Sequence, residues 1–204
     1  MVFFLIIGVK VGVSVVGLDR ALFPWALAIP HIILFGYVWW LVQCKNKLCW
    51  GEIGFRFPKQ KIYFAVALFL VPLNLSVAII YASVAVNLGI EKIIPPQIPV
   101  DILGAGWMVI INVIAITIWV PVIEETFFRG FLLTRLMKGM GVFGSVTVTS
   151  LMFALMHGHI GLWVPVFLNS CCISVLFIKG RSLYPVVLVH GLQNAIVSLV
   201  AASA

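Results

Sequence analysis

The sequence predicts an all-α, polytopic transmembrane helical bundle of about seven to eight helices, counted from apolar runs of spanning length. Three observations carry that prediction. Of 204 residues, 63% are hydrophobic and 9% are charged, with a mean hydropathy of +1.21; soluble domains run at roughly 45–50% and 25%. The apolar runs are long and unbroken, which suits helices and not the short alternating segments of a membrane barrel. The basic residues cluster in connectors, so the net charge of +7 reports membrane topology and no nucleic-acid partner is implied.

Taken in order, Met1–Leu18 is a short, Gly-rich candidate span interrupted by Lys10. It lacks the basic leader and small-residue cleavage site of a signal peptide. Leu22–Val42 is a span with Trp39 and Trp40 near its end, where interfacial aromatics belong. A connector with Lys45, Lys47, Arg56, Lys59 and Lys61 follows. Ile62–Leu88 is a long span in which Pro72 and Asn74 suggest a kink. Gly89–Asp101, with Pro95, Pro96 and Pro99, reads as a rigid loop. Ile102–Ile123 is the next span, continued by an amphipathic helix Glu124–Met137 up to a break at 138–141. Val142–Met156, Leu162–Ile178 and Leu183–Val200 complete the set.

The chain therefore divides into 1–101, helices without a chemical motif, and 102–204, a core that carries the motifs, within one integral membrane domain. Positive charge orients it. The connector at 45–61, the segment with Arg129, Arg135 and Lys138, and the Lys179/Arg181 turn fall together on the cytosolic side. Asp19/Arg20, the loop at 89–101 and Gly158–Gly161 fall on the other. Cys44, Cys49, Cys171 and Cys172 match no zinc spacing and read as free thiols.

The chain has six acidic residues, and Glu124 and Glu125 stand adjacent at the end of an apolar run that holds no charge from Ile102 to Ile123. Ionisable groups at membrane depth are expensive and mark function. Glu125 and Arg129 are four apart, the favourable order for an ion pair on one helix face, so their plainer reading is structural. Glu124 points about a quarter-turn away and has no local base, which suits it to proton transfer. His157 closes the span that begins at Val142. His190 and Asn194 share a face inside the last span. Their plainer reading is interhelical hydrogen bonding. His159 and His31 carry no predicted role.

Two chemistries fit this set. In one, Glu124 and His157 hold and deprotonate a water while His190 and Asn194 donate hydrogen bonds to the oxyanion. In the other, Glu124, His157 and His190 ligate zinc, which activates the water. A serine or cysteine nucleophile is disfavoured, because no Gly-x-Ser-x-Gly elbow is present.

Glu124-Glu125-Thr-Phe-Phe-Arg129, Phe153-Ala-Leu-Met-His157 and His190-Gly-Leu-Gln-Asn194 resemble, in that order, the three motifs of the CPBP (CAAX protease and bacteriocin-processing) family of intramembrane proteases. The type II CAAX prenyl endopeptidase is a member. The resemblance covers Ile102 to about Ala201. It implies an all-helical bundle with an active site open to the cytosolic half of the membrane. Glu124 and His157 would activate the water without a metal, His190 and Asn194 would form the oxyanion hole, and Glu125, Arg129 and Phe153 would support them. The implied partners are the bilayer and a peptide or prenylated protein, cut near its C-terminus. The short loops suggest a multi-pass protein of a prokaryotic cytoplasmic membrane. A non-catalytic scaffold or self-immunity protein is the alternative. A proton-coupled transporter is opposed by the lack of an inverted repeat.

Overall fold

The computed structural model describes residues 23–96, 103 and 106–203, and none of these residues is in a strand. Helix α1 (Phe23–Trp39) runs on into a π-helical turn, Trp40–Lys45. Helix α2 spans Ile62–Asn87 with Pro72 inside it. Then comes one continuous helical run. Its parts are α3 (Met108–Ile114), a π segment Ala115–Trp119, α4 (Val120–Glu125), a second π segment Thr126–Leu133, and α5 (Thr134–Leu155). Helices α6 (Ile160–Gly180) and α7 (Leu183–Ser203) finish the bundle.

The described residues thus hold five helical runs, one of them broken at a single residue, and four are long and apolar enough to cross a membrane. The expected count of seven to eight is not reached among them, and the candidate span Met1–Leu18 lies outside the described residues. Part of the difference is a merger. The segments expected as Ile102–Ile123, Glu124–Met137 and Val142–Met156 are joined from Met108 to Leu155, with no loop between them. Their break is a single residue, Gly141, at φ 68° and ψ −176°. Glycine reaches that conformation without the steric penalty of a Cβ.

That one residue turns the run back on itself. Phe128 and Phe153 meet edge to face at 4.9 Å between ring centroids, yet a straight helix would separate them by roughly 37 Å. The two arms form a hairpin, and the larger core lies between α5 and helices α2, α6 and α7. Ala67, Leu70, Val71, Val146, Ile173, Leu176, Phe177, Val186 and Val189 fill it. A hydrogen-bonded chain crosses three helices: Asn74 of α2 donates to Asn169 of α6, which donates to Gln193 of α7 at 2.9 Å. The atoms so paired are spared the cost of orphaned polar groups in an apolar interior, whereas Gln193 Nε2 is buried with no hydrogen-bond partner among the described residues.

The ends of the bundle are also fixed. Arg56 Nε donates to the Arg181 carbonyl (2.9 Å) and Leu183 N to the Gly54 carbonyl (2.8 Å). The 45–61 connector and the Lys179/Arg181 turn therefore share one end, as their charge suggested. A second core cluster of Val38, Val42 and Ile53, with Phe127 and Phe131, seats α1 on the second π segment. At the opposite end, Gly161 lies against the backbone of Ile93 and Ile94. Trp39 and Trp40 are exposed near the end of α1, with the Lys45 ammonium 5.6 Å from the Trp40 ring, a boundary arrangement. All four cysteines are free thiols. Arg129 is fully buried in its pair with Glu125, so within its segment the positive charge that bears on topology is that of Arg135 and Lys138.

Candidate active site

Helix α4 is six residues long and is flanked by π segments on both sides. A π turn closes i→i+5 and recurs at functional positions because it leaves backbone carbonyls out of the regular ladder. Glu124 and Glu125 are its last two residues, and both are buried.

Glu125 is welded in place. Its Oε1 accepts from Arg129 Nη1 at 2.8 Å and from His190 Nδ1, on α7, at 2.8 Å. The Arg129 guanidinium also donates through Nη2 to Ser170 on α6, at 2.7 Å to Oγ and 3.3 Å to the carbonyl. It lies 4.6 Å from the Phe153 ring centroid. Glu125 and Arg129 are each 0% exposed. Taking such ions out of water costs several kcal/mol each, and close hydrogen-bonded geometry is what offsets that cost.

Glu124 is placed differently. Its i−4, i−3, i+3 and i+4 neighbours are Val120, Pro121, Phe127 and Phe128, none of which can pair with it. Its partners come from other helices. His31 of α1 makes a hydrogen bond from Nε2 to Oε1 at 3.4 Å. His190 Nε2 lies 3.9 Å from Oε2. His157 adds an electrostatic interaction.

The two predicted histidines are both anchored through Nδ1. That of His157 donates to the Phe153 carbonyl at 2.8 Å, as its Glu125 bond anchors His190. Each ring is thereby held through Nδ1, and Nε2 of His190 faces Glu124 Oε2. Burial pushes the His157 imidazole below its ordinary value, against the pull of Glu124 and of the Phe153 carbonyl. Phe153 is the shared wall, 4.9 Å from the His157 ring and 5.9 Å from the His190 ring. Asn194 Nδ2 donates to the Ile116 carbonyl, in the first π segment, at 2.9 Å. Gly191 lets α7 approach there, since a Cβ on it would collide with the Thr117 carbonyl.

Six of the seven residues singled out from sequence are thus linked by contacts around Phe153 and His190, while Asn194, one turn beyond His190 on α7, contacts the Ile116 carbonyl instead. Two further residues were missed. Ser170 gave only a weak signal, a hydroxyl in an apolar run. His31 gave a clear one: it lies within Leu22–Val42, and the rule that marked His190, that histidine is rare in a membrane span, applies to it equally. His159 has a structural role, accepting from Gly161 N at 3.1 Å to cap α6.

Residues 106–196 match the family model for type II CAAX prenyl endopeptidase Rce1-like proteins. This segment is similar to an Rce1-like domain. It contains Glu124, Glu125, Arg129, Phe153, His157, Ser170, His190 and Asn194, whereas His31 lies outside it. No curated protein and no solved structure matches the chain. The match supports a CAAX-type intramembrane protease family, and with four helices long and apolar enough to cross a membrane the chain is an integral membrane protein. Among the described residues no three His, Cys, Asp or Glu side chains converge as metal ligands do.

Proposed function

We propose that the protein is an intramembrane endopeptidase that hydrolyses a peptide bond near the C-terminus of a membrane-associated protein or peptide, prenylated chains included. The observation that carries this reading is the shared anchoring of His157 and His190 through Nδ1, beside a buried carboxylate without a partner on its own helix.

With Nδ1 of His157 donating to a carbonyl, its Nε2 accepts one hydrogen of a water and Glu124 accepts the other. Glu124 takes the proton as the water oxygen attacks the scissile carbonyl. The oxyanion meets the second N–H of Asn194 and Nε2 of His190. Because His190 Nδ1 already donates to Glu125, donation from Nε2 requires the imidazolium form of the ring. Collapse of the intermediate breaks the C–N bond, and Glu124 returns the proton to the leaving amine.

We place the basic end on the cytosolic side of a prokaryotic cytoplasmic membrane, as its charge and the short connectors favour. Glu124 is 14 residues from Lys138, about 20 Å of helix, so substrate reaches it within the bilayer.

The test is cleavage in detergent, read by mass spectrometry, over a peptide panel that includes farnesylated CAAX peptides. Wild type cuts, and Glu124→Gln loses at least about 10²-fold in rate while remaining folded. A Glu124→Gln protein that cuts at the wild-type rate refutes the assignment. Metal analysis of the purified active protein checks the metal-free mechanism, which stoichiometric zinc would overturn.

A further inference from the structure

We propose that His31 is a positioning residue for Glu124, supplied to the site from outside the Rce1-like domain. The inference rests on the reading of Glu124 as the base. Glu124 has three side-chain torsions and no partner on its own helix, so nothing local selects one orientation of its carboxylate. Helix α1 packs on α4 and on the π segment after it. It delivers His31, 1% exposed, with Nε2 3.4 Å from Glu124 Oε1.

The two carboxylate oxygens are thereby distinguished. Oε1 faces His31, and Oε2 faces His190 at 3.9 Å. A hydrogen bond on Oε1 fixes the plane of the group and leaves Oε2 on the side of the catalytic histidines. The distance is long for a hydrogen bond, as catalytic contacts often are before substrate tightens them. The segment 1–101, which carries no family motif, would then complete the site and not merely anchor it.

The position of the donor gives the test. The Nε2 amide of glutamine reaches where His31 Nε2 stands. The Nδ2 amide of asparagine stands nearer Nδ1 and falls short of Glu124. Both variants remain polar and able to hydrogen-bond. We expect His31→Gln to keep kcat within about threefold of wild type and His31→Asn to lose about 10²-fold, the cost of about 1 Å of misplacement. KM stays within about twofold in both, because the interaction acts on the chemical step and not on uniform binding. Thermal unfolding temperatures, recorded in the same detergent, coincide.

Equal kcat in the two variants, the reverse order, or a loss that follows a lowered unfolding temperature overturns the proposal. Glu124→Gln run alongside separates the two failures. If Glu124→Gln is inactive while the two His31 variants behave alike, His31 has no positioning role and the assignment of Glu124 survives. If Glu124→Gln still cuts, that assignment falls and the role of His31 falls with it.

Discussion

Glu124 and Glu125 are neighbours in sequence and opposites in surroundings. Glu125 shares one oxygen between Arg129 and His190, and its network extends through the guanidinium to Ser170. Glu124, one residue earlier and about 100° around the helix, meets, among the described residues, groups brought from elsewhere in the fold, chiefly His31 and His190. The difference separates two tasks. A buried carboxylate that bonds a permanent cation holds helices together; one ringed by imidazoles, which can gain and lose protons, is equipped to move a proton.

The sharpest way to break the comparison is to neutralise each acid in turn. Glu125→Gln leaves Arg129 charged and unpaired in the interior, and it should cost about 3–5 kcal/mol in unfolding measured in detergent. Glu124→Gln should leave stability near wild type and remove cleavage. Equal stability losses in the two variants would erase the division of labour.

Gly191→Ala is expected to be milder, about 1–3 kcal/mol for overpacking, because the new methyl meets the Thr117 carbonyl. Cleavage should fall by more than stability alone explains, since His190 and Asn194 move with the backbone of α7. Unfolding curves and kcat compared on one preparation decide it.

The smallest effect is a pH dependence. Burial lowers the His157 pKa, so the folded protein takes up that proton later than the unfolded chain does. The stability tied to this group is whole above the ordinary imidazole value near 6.5 and is lost as pH falls through the lower folded value. The acidic limb of kcat/KM attributable to His157 should lie below that ordinary value, and a limb above it would contradict the assignment.

Much of this was legible in the sequence, and the limits have physical causes. Helix α2 was expected at Ile62–Leu88 and stands at Ile62–Asn87, because unbroken apolar runs bounded by polar residues leave little freedom. The Glu125–Arg129 pair follows from helical spacing alone. The hairpin at Gly141 was legible only as a break, since a Lys-Gly-Met-Gly stretch does not say whether a loop or one residue makes the turn. Phe153 was expected as support, yet its place between Arg129, His157 and His190 depends on three-dimensional approach. The pairing of His31 with Glu124 spans 93 positions, and no local pattern encodes so distant a contact.

The two π segments around α4 have a consequence for phase. Each residue of an α-helix turns the chain by about 100°, and a π turn closes with one residue more than an α turn. Together they set the angular position of Glu124 relative to α3 on one side and α5 on the other. Removing one residue from Thr126–Leu133 would let that stretch relax to ordinary α geometry with little change in composition or hydropathy. The price would be rotational: the two acids would turn against Phe153 and Ser170, which belong to the returning arm and to α6. Register, as much as residue identity, specifies where this helix points its two acids.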